Sequence, residues 1–291
     1  MQIRPMEERD LSACVDIFNE AYNDVHRAYG FGEDAGDDDG WLLKPLSHLL
    51  HTDPEGAVIA TDDEGDVAFA STIRRGGFWF LSFLFVRPRA QRRGIGRELL
   101  DRLMPPADGV TLATMAESFN GAATGLYARY GLIPAAPKYW LIARSDVLRL
   151  TVESNLARTS MSEEDLGAIS SLDQVVLGFE RADDHRWWMR SMNGHVYRSG
   201  ERVVGYAYID DGWISPALGV DESTLVAVFA DAVRLVQKDE VETAVFGTSR
   251  ALFEALMHSG FRIGRSRYSS VYASNGGPLP PSYVLHADWL P

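Results

Sequence analysis

The sequence predicts an α/β (α+β) fold of two similar halves, each a mixed sheet flanked by helices. Three observations predict it. Residues Phe78 to Leu103 read as strand, glycine turn and helix in unbroken succession. Ahead of them, Ala57 to Thr61 and Val67 to Arg74 read as strands joined by the turn Asp62-Asp63-Glu64-Gly65, so antiparallel strands feed the Phe78 strand. Beyond residue 147 the same order of elements returns in weakened form.

Taken in order, the chain opens with a helix from Asp10 to about Arg27 and a second from Trp41 to about His51. Cys14, the only cysteine, falls in the first and reads as a packed residue, since no His forms a dyad pattern with it. His48 and His51 share a face of the second, but two histidines without a third ligand make a poor metal site. Phe78 to Val86 is an aromatic and aliphatic run of strand length, which reads as a buried central strand. Pro88 stops the ladder, and Gly94 and Gly96 permit a sharp turn. From there Ile95, Leu99, Leu100 and Leu103 recur at helical spacing against Arg97, Glu98, Asp101 and Arg102. Val110 to Met115 reads as a strand, and Asn120 to Tyr130 as a short helix closed by Gly131.

A helix that starts inside a glycine turn presents unpaired N–H groups and the positive end of its dipole, a site for an anion such as phosphate. Arg87, Arg89, Arg92, Arg93 and Arg97 crowd the same stretch with no Asp or Glu among them, although the whole chain carries a net charge of −13. The arginines alone fit a solvated turn equally well. A P-loop needs Gly-Lys-Ser/Thr where Gly96-Arg97-Glu98 stands, and the dinucleotide fingerprint needs a glycine where Leu99 stands. What fits is Val86-x-Pro88 followed by Gln91-x-x-Gly94-x-Gly96. This resembles the acetyl-CoA signature of the GNAT superfamily of acyl-CoA N-acyltransferases. The resemblance implies that the strand end at Leu84, Phe85 and Val86 pairs with the pantetheine arm, with an N–H at Leu84 or Phe85 for the acyl oxygen. It likewise implies that the loop Gln91, Arg92, Arg93, Gly94, Ile95, Gly96 and Arg97 holds the diphosphate.

The segment Asn120-Gly-Ala-Ala-Thr-Gly-Leu-Tyr127 resembles the second motif of that family, in which an Asn opens the helix and a Tyr faces the thioester. Asn120 then joins the coenzyme site and Tyr127 is the candidate general acid. Packing of Tyr127 on Ala123 and Gly131 is the competing reading. For the base, the central strand offers only Ser82, and Glu117 is the nearest acid; a water relay is the alternative. The resemblance implies an N-acetyltransferase using acetyl-CoA, without metal, on a small-molecule amine. A catalytically silent acetyl-CoA-binding or regulatory module is the alternative.

In the second half, helices are expected over Thr159 to about Ser170 and Asp184 to Ser191, a central strand over Gly212 to Val220 and a helix over Leu225 to Val236. One constant offset lays Asn120 on Ser249, Tyr127 on Leu256 and Gly131 on Gly260. Where the cradle belongs stands Asp221-Glu222-Ser223-Thr224, with carboxylates that repel phosphate. The expected organisation is therefore two tandem GNAT-like domains with mostly antiparallel sheets: residues 1–147 with the acetyl-CoA motif, and 148–291 degenerate.

The 291 residues, 46% of them hydrophobic, suffice for two cores. The net charge of −13 argues against nucleic acid as the main partner and suits a cationic acceptor. No stretch has the length of a membrane span or a signal peptide, so the expectation is a cytoplasmic protein, monomeric or homodimeric. The segment Phe31 to Gly40, with Glu33, Asp34, Asp37, Asp38 and Asp39, misses the EF-hand pattern and reads as a solvated acidic loop.

Overall fold

The computed structural model describes residues 1–31, 40–106, 109–150, 152, 154–264, 269–274 and 279–290. The acidic stretch from Glu33 to Asp39 lies outside them. The first half runs β1 (Gln2–Pro5), α1 (Leu11–Ala28), α2 (Leu43–Thr52), β2 (Ala57–Asp62), β3 (Gly65–Arg75), β4 (Phe78–Val86), α3 (Ile95–Leu103), β5 (Thr111–Glu117), α4 (Gly121–Ala128) and β6 (Ile133–Arg144). The second runs β7 (Ala157–Ser160), α5 (Leu166–Val176), α6 (Ala182–Ser191), β8 (Asn193–Ser199), β9 (Arg202–Asp210), β10 (Trp213–Gly219), α7 (Glu222–Val233), β11 (Glu240–Phe246), α8 (Arg250–His258), β12 (Arg262–Ile263), β13 (Ser269–Ala273) and β14 (Tyr283–Val284).

The repeat is visible at the level of single side chains. Asp10 accepts from the N–H of Glu7 at 2.8 Å and pairs with Arg4, which starts α1. Asp165 accepts from the N–H of Ser162 at 2.8 Å and pairs with Arg198, which starts α5. That capping corrects the expected helix over Thr159 to Ser170: the residues before Ser162 form β7, and the helix begins only after Asp165. Gly131 and Gly260, matched by the sequence offset, close α4 and α8 with φ of 78° and 106°.

All strands join one sheet in the order β1-β2-β3-β4-β5-β13-β6-β11-β10-β9-β8-β7, with β12 beside β6 and β14 beside β10. The β4–β5 and β10–β11 pairs are parallel and every other pair among the described residues is antiparallel. The halves exchange strands. β13 of the second half fills the place between β5 and the start of β6. The end of β6, Lys138 to Arg144, pairs with β11 and with β12 of the second half. The sequence reading did not foresee β6, β13 or β14; Pro134 and Pro137 disguise the start of β6.

One buried apolar cluster crosses from α1 and α2 to α5, α6 and the C-terminal tail, and includes Phe18, Leu49, Phe83, Ile169, Trp188, Trp289 and Leu290. Cys14 is part of it, and burial pushes its thiol up, which makes it inert. Phe78 stacks on Phe179 at 4.6 Å between centroids. Through this contact region run charges from both halves: Asp184 on α6 meets His48 at 2.8 Å and Arg75 at 3.1 Å, and Arg75 also meets Asp53 at 2.8 Å.

Burial by itself would raise the Asp184 carboxyl, but the His48 hydrogen bond and the Arg75 charge outweigh it and hold the group at about 2. Removing one member of a buried pair strands the others, so Asp184→Ala is expected to cost about 3–5 kcal/mol in urea unfolding at pH 7. Because the folded value lies below the unfolded 3.8, the titrating part of this stability is complete above about pH 4 and is lost as the pH falls through about 2. The gap between wild type and Asp184→Asn should shrink by about 2 kcal/mol between pH 5 and pH 2.

Candidate active site

β4 and β5 pair in parallel from Phe78 with Thr111 to Leu81 with Thr114, and no further. At that point the β3–β4 register shifts between Thr72–Leu81 and Ser71–Phe83, so Ser82 is the extra residue of a bulge. Beyond it, among the described residues, β4 keeps only β3, and β5 keeps only β13, where Glu117 stands opposite Ser269. The two strands open as a fork.

The backbone of β4 faces into this fork at alternate residues. The N–H of Arg87 donates to Val67 on β3, so alternation turns the N–H and C=O of Leu84 and Val86 away from β3 and those of Phe85 toward it. Side chains alternate with them. A Cβ added at Gly96 on α3 would lie 3.9 Å from both Leu84 and Val86, which places these two under α3. Phe85 lies on the other face, its ring 4.7 Å from Phe18 of α1.

At the mouth of the fork the loop folds back on the strand, with Nε2 of Gln91 donating to the Val86 carbonyl at 3.1 Å. Arg92 and Gly94 adopt positive φ of 60° and 85°, and Gly94 caps α3 without a side-chain acceptor. The first ladder bond is Glu98 N–H to Gly94 at 3.0 Å, so the N–H groups of Ile95, Gly96 and Arg97 have no acceptor among the described residues. The arginines are largely spoken for. Arg89 and Arg93 both reach Asp62 at 3.3 Å, Arg87 pairs with Glu20, and Arg97 lies 3.6 Å from Asp101. Arg92 has no ion pair among the described residues. Exposed pairs of this kind are worth less than about 1 kcal/mol, so they yield readily to a phosphate. An open depression of about 500 Å³ between α1 and Pro88-Arg89 lies beside the fork rather than in it.

Tyr127 occupies the vertex. Asn120 spends its side-chain oxygen on the N–H of Ala123 at 3.1 Å, opening α4, and is therefore a helix cap. The Tyr127 hydroxyl meets Thr114, and Thr114 in turn donates to the Leu81 carbonyl at 2.9 Å, the last paired residues of the two strands. Burial pushes the phenol up to about 12, with Thr114 pulling against it. It stays protonated at neutral pH. Ser82 adds a buried hydroxyl with no partner among the described residues.

Glu117 closes β5, and two residues the sequence reading missed hold it. Tyr22 donates to Oε1 at 3.2 Å, and Nε2 of His26 lies 2.8 Å from Oε2. The available signal was their spacing of one turn on α1.

The second half handles its corresponding opening differently. β10 and β11 pair only at Trp213 with Glu242, and β14 lies against β10 at Ala217–Val284 and Leu218–Tyr283. The gap is filled by the chain itself. The N-terminus of α7 is capped by Asp221, which accepts from the N–H of Thr224 at 2.7 Å.

Residues 53–132, from the approach to β2 through the end of α4, match the sequence profile of the acetyltransferase (GNAT) domain. A putative acetyltransferase of Pyrococcus horikoshii superposes with a TM-score of 0.75 over 100% of this chain and 95% of its own, at 15% identity. The fold is that of a tandem GNAT protein. A GCN5-related N-acetyltransferase of Sphaerobacter thermophilus matches with a TM-score of 0.60 at 18% identity, covering 96% of each chain. A tandem GNAT protein from the clavulanic acid biosynthesis pathway matches with a TM-score of 0.54 at 16% identity, over 95% of this chain and 99% of its own. No curated protein sequence matches the chain. The GNAT fold is one that supports acyl transfer.

Nothing lies within 4 Å of a Cβ added at Gly94, yet its φ of 85° penalises any side chain. Gly94→Ala is expected to lower stability by about 1 kcal/mol in chemical denaturation, through the backbone alone.

Proposed function

We propose that this GNAT protein is an N-acetyltransferase that moves an acetyl group from acetyl-CoA to the amine of a small molecule, with Tyr127 as general acid and Glu117 as base. One observation carries the reading: an open fork with a protonated phenol at its vertex and an uncapped helix N-terminus at its mouth. These features fit the coenzyme in chemistry as well as shape. The free N–H groups of α3, with Arg92, would hold its diphosphate, and the fork-facing backbone of Val86 its amide arm.

Acetyl-CoA supplies the activated acyl group; the remaining work falls to this chain. A lysine-like amine has a pKa near 10.4, so only about one molecule in a thousand is neutral at physiological pH. Glu117 takes that proton. The Leu84 N–H, turned into the fork, is the donor for charge that builds on the acyl oxygen, an effect worth about 3 kcal/mol in comparable sites. As the C–N bond forms and the C–S bond breaks, Tyr127 gives its proton to the departing sulfur. The nitrogen loses its second proton to solvent, Tyr127 regains one from solvent, and the proton on Glu117 is released, so that one proton in all leaves with the products.

We infer further that residues 1–147 carry the activity and that the half from 148 onward binds no CoA, since β14 and Asp221 occupy the corresponding positions. The reading takes the protein to act as a monomer or homodimer in the cytoplasm, without metal, nucleic acid or membrane as partner. Among the described residues no group of His, Cys, Asp and Glu suits a metal and no helix is long and apolar enough to cross a membrane.

Acetyl-CoA is expected to raise the melting temperature and to titrate at one molecule per chain in calorimetry. Tyr127→Phe, which keeps the ring, should lower amine-dependent CoA release by about tenfold or more. Undiminished turnover would remove Tyr127 from the mechanism. Tight binding without turnover across a broad panel of amines would replace the enzyme by a silent acetyl-CoA-binding module.

A further inference from the structure

The side chain of Glu117 leaves the sheet on the α1 face, the face shared by Ala113 and Met115, whereas Thr114 points to Tyr127 on the other. The base and the acid therefore approach the fork from opposite sides. On the α1 side Glu117 is held by groups from one helix, Tyr22 and His26, whose rings lie 4.0 Å apart. Nε2 of His26 is 2.8 Å from Oε2 as an ion-pair contact, and both atoms are buried without a hydrogen bond among the described residues. Such atoms are costly to leave unmet. A group that donates to Oε2 would meet one of them.

Rings surround this carboxylate. Phe119 stands edge-on to His26 at 5.7 Å, and Phe31 packs on Phe119 at 4.8 Å. Phe31, at the end of this row of rings, is 40% exposed. The next strand adds a second acid: Ser269, opposite Glu117, donates to Asp288 at 2.9 Å, and Asp288 also takes the charge of Lys138. The surroundings of Glu117 thus offer one carboxylate without a Lys or Arg partner among the described residues, a row of rings, and a lysine already neutralised.

We propose that Glu117, positioned by Tyr22 and His26 and rimmed by Phe31 and Phe119, receives the acceptor as an ammonium ion, and that the acceptor is a primary amine on an apolar body without a carboxylate. This rests on the acetyltransferase reading of the same site. A carboxylate near aromatic faces attracts a cation through charge and ring quadrupoles, and Glu117 repels an anion, while the Asp288–Lys138 pair offers it no free cation. One ammonium proton moves to Glu117 and leaves the nitrogen lone pair free to attack. His26 acts through Glu117 and is a positioning residue.

The test uses the full chain with 2-phenylethylamine and phenylalanine, which differ by a carboxylate. With CoA present, calorimetry should show 2-phenylethylamine binding about tenfold or more tightly than phenylalanine, and kcat/KM should follow the same order. Glu117→Gln should weaken the binding of 2-phenylethylamine by about tenfold while leaving that of acetyl-CoA unchanged. His26→Gln, which retains a donor, should keep more activity than His26→Leu, and Phe119→Leu should raise KM for the amine alone. Equal binding of the two amines by the wild type, or unchanged amine affinity in Glu117→Gln, overturns the proposal while acetyl-CoA binding stands. Failure of acetyl-CoA to bind the wild type overturns the acetyltransferase reading and this proposal with it.

Discussion

Backbone groups at the end of β4 have to find partners, and the candidate site is what the first half makes of that constraint. Parallel pairing with β5 ends at Leu81 and Thr114, because the Ser82 bulge swings β4 aside while β13 holds β5 on its own course. The fork-facing N–H and C=O of Leu84 and Val86 are then left to the loop, to solvent or to a ligand. Gln91 satisfies one carbonyl and in doing so draws the loop over the strand end. That places the uncapped start of α3 beside the same fork whose vertex holds Tyr127. Cradle, fork and phenol are three results of one broken ladder.

The second half meets the same constraint with covalently attached chain. β14 lies against β10 at Ala217 and Leu218, and its Tyr283 hydroxyl accepts from Arg181 at 2.6 Å. Arg181 is buried, pairs with Asp173 at 2.9 Å, and sits over the rings of Trp188 and Tyr283. Asp173 also takes hydrogen bonds from Tyr206 at 2.7 Å and lies 2.8 Å from Nε2 of His185. A charge so deeply buried is tolerable only when it is paired and hydrogen-bonded, and both oxygens of Asp173 are engaged. The acid, histidine and tyrosines under α5 and α6 are committed to one another and to β14, whereas Oε2 of Glu117 and Nε2 of His26 under α1 are buried without a hydrogen bond among the described residues.

What could be read before the structure was local in origin. β4 over Phe78–Val86 and α3 over Ile95–Leu103 carry their own signals, a dense apolar run and a helical period after two glycines. Gly131 announced a helix end for the same reason, and the offset between the halves carried that to Gly260. The strand exchange could not be read, because Ser269 to Ala273 is short and follows no period, and its partners lie far away in the chain. Glu117 was found only as the nearest acid. That Tyr22 and His26 grip it depends on how α1 crosses the sheet, which no local pattern in α1 encodes. The arginine island is also less free than a linear reading makes it: Asp62, from the β2–β3 turn, is shared by two of its members, Arg89 and Arg93.

Exchange of strands explains why a half with a plugged fork is joined to one with an open fork. β5 would have an unpaired edge without β13, and an unpaired edge slips or recruits a foreign strand. A slip of one residue in β5 would turn every side chain to the other face: Thr114 would leave Tyr127, and Glu117 would leave Tyr22 and His26. Ser269 opposite Glu117 and Val271 opposite Met115 forbid that slip, and the buried cluster containing Val271, Trp289 and Leu290 holds them in place. In this arrangement the second half sets the register on which the placement of Tyr127 and Glu117 on opposite faces of the sheet depends.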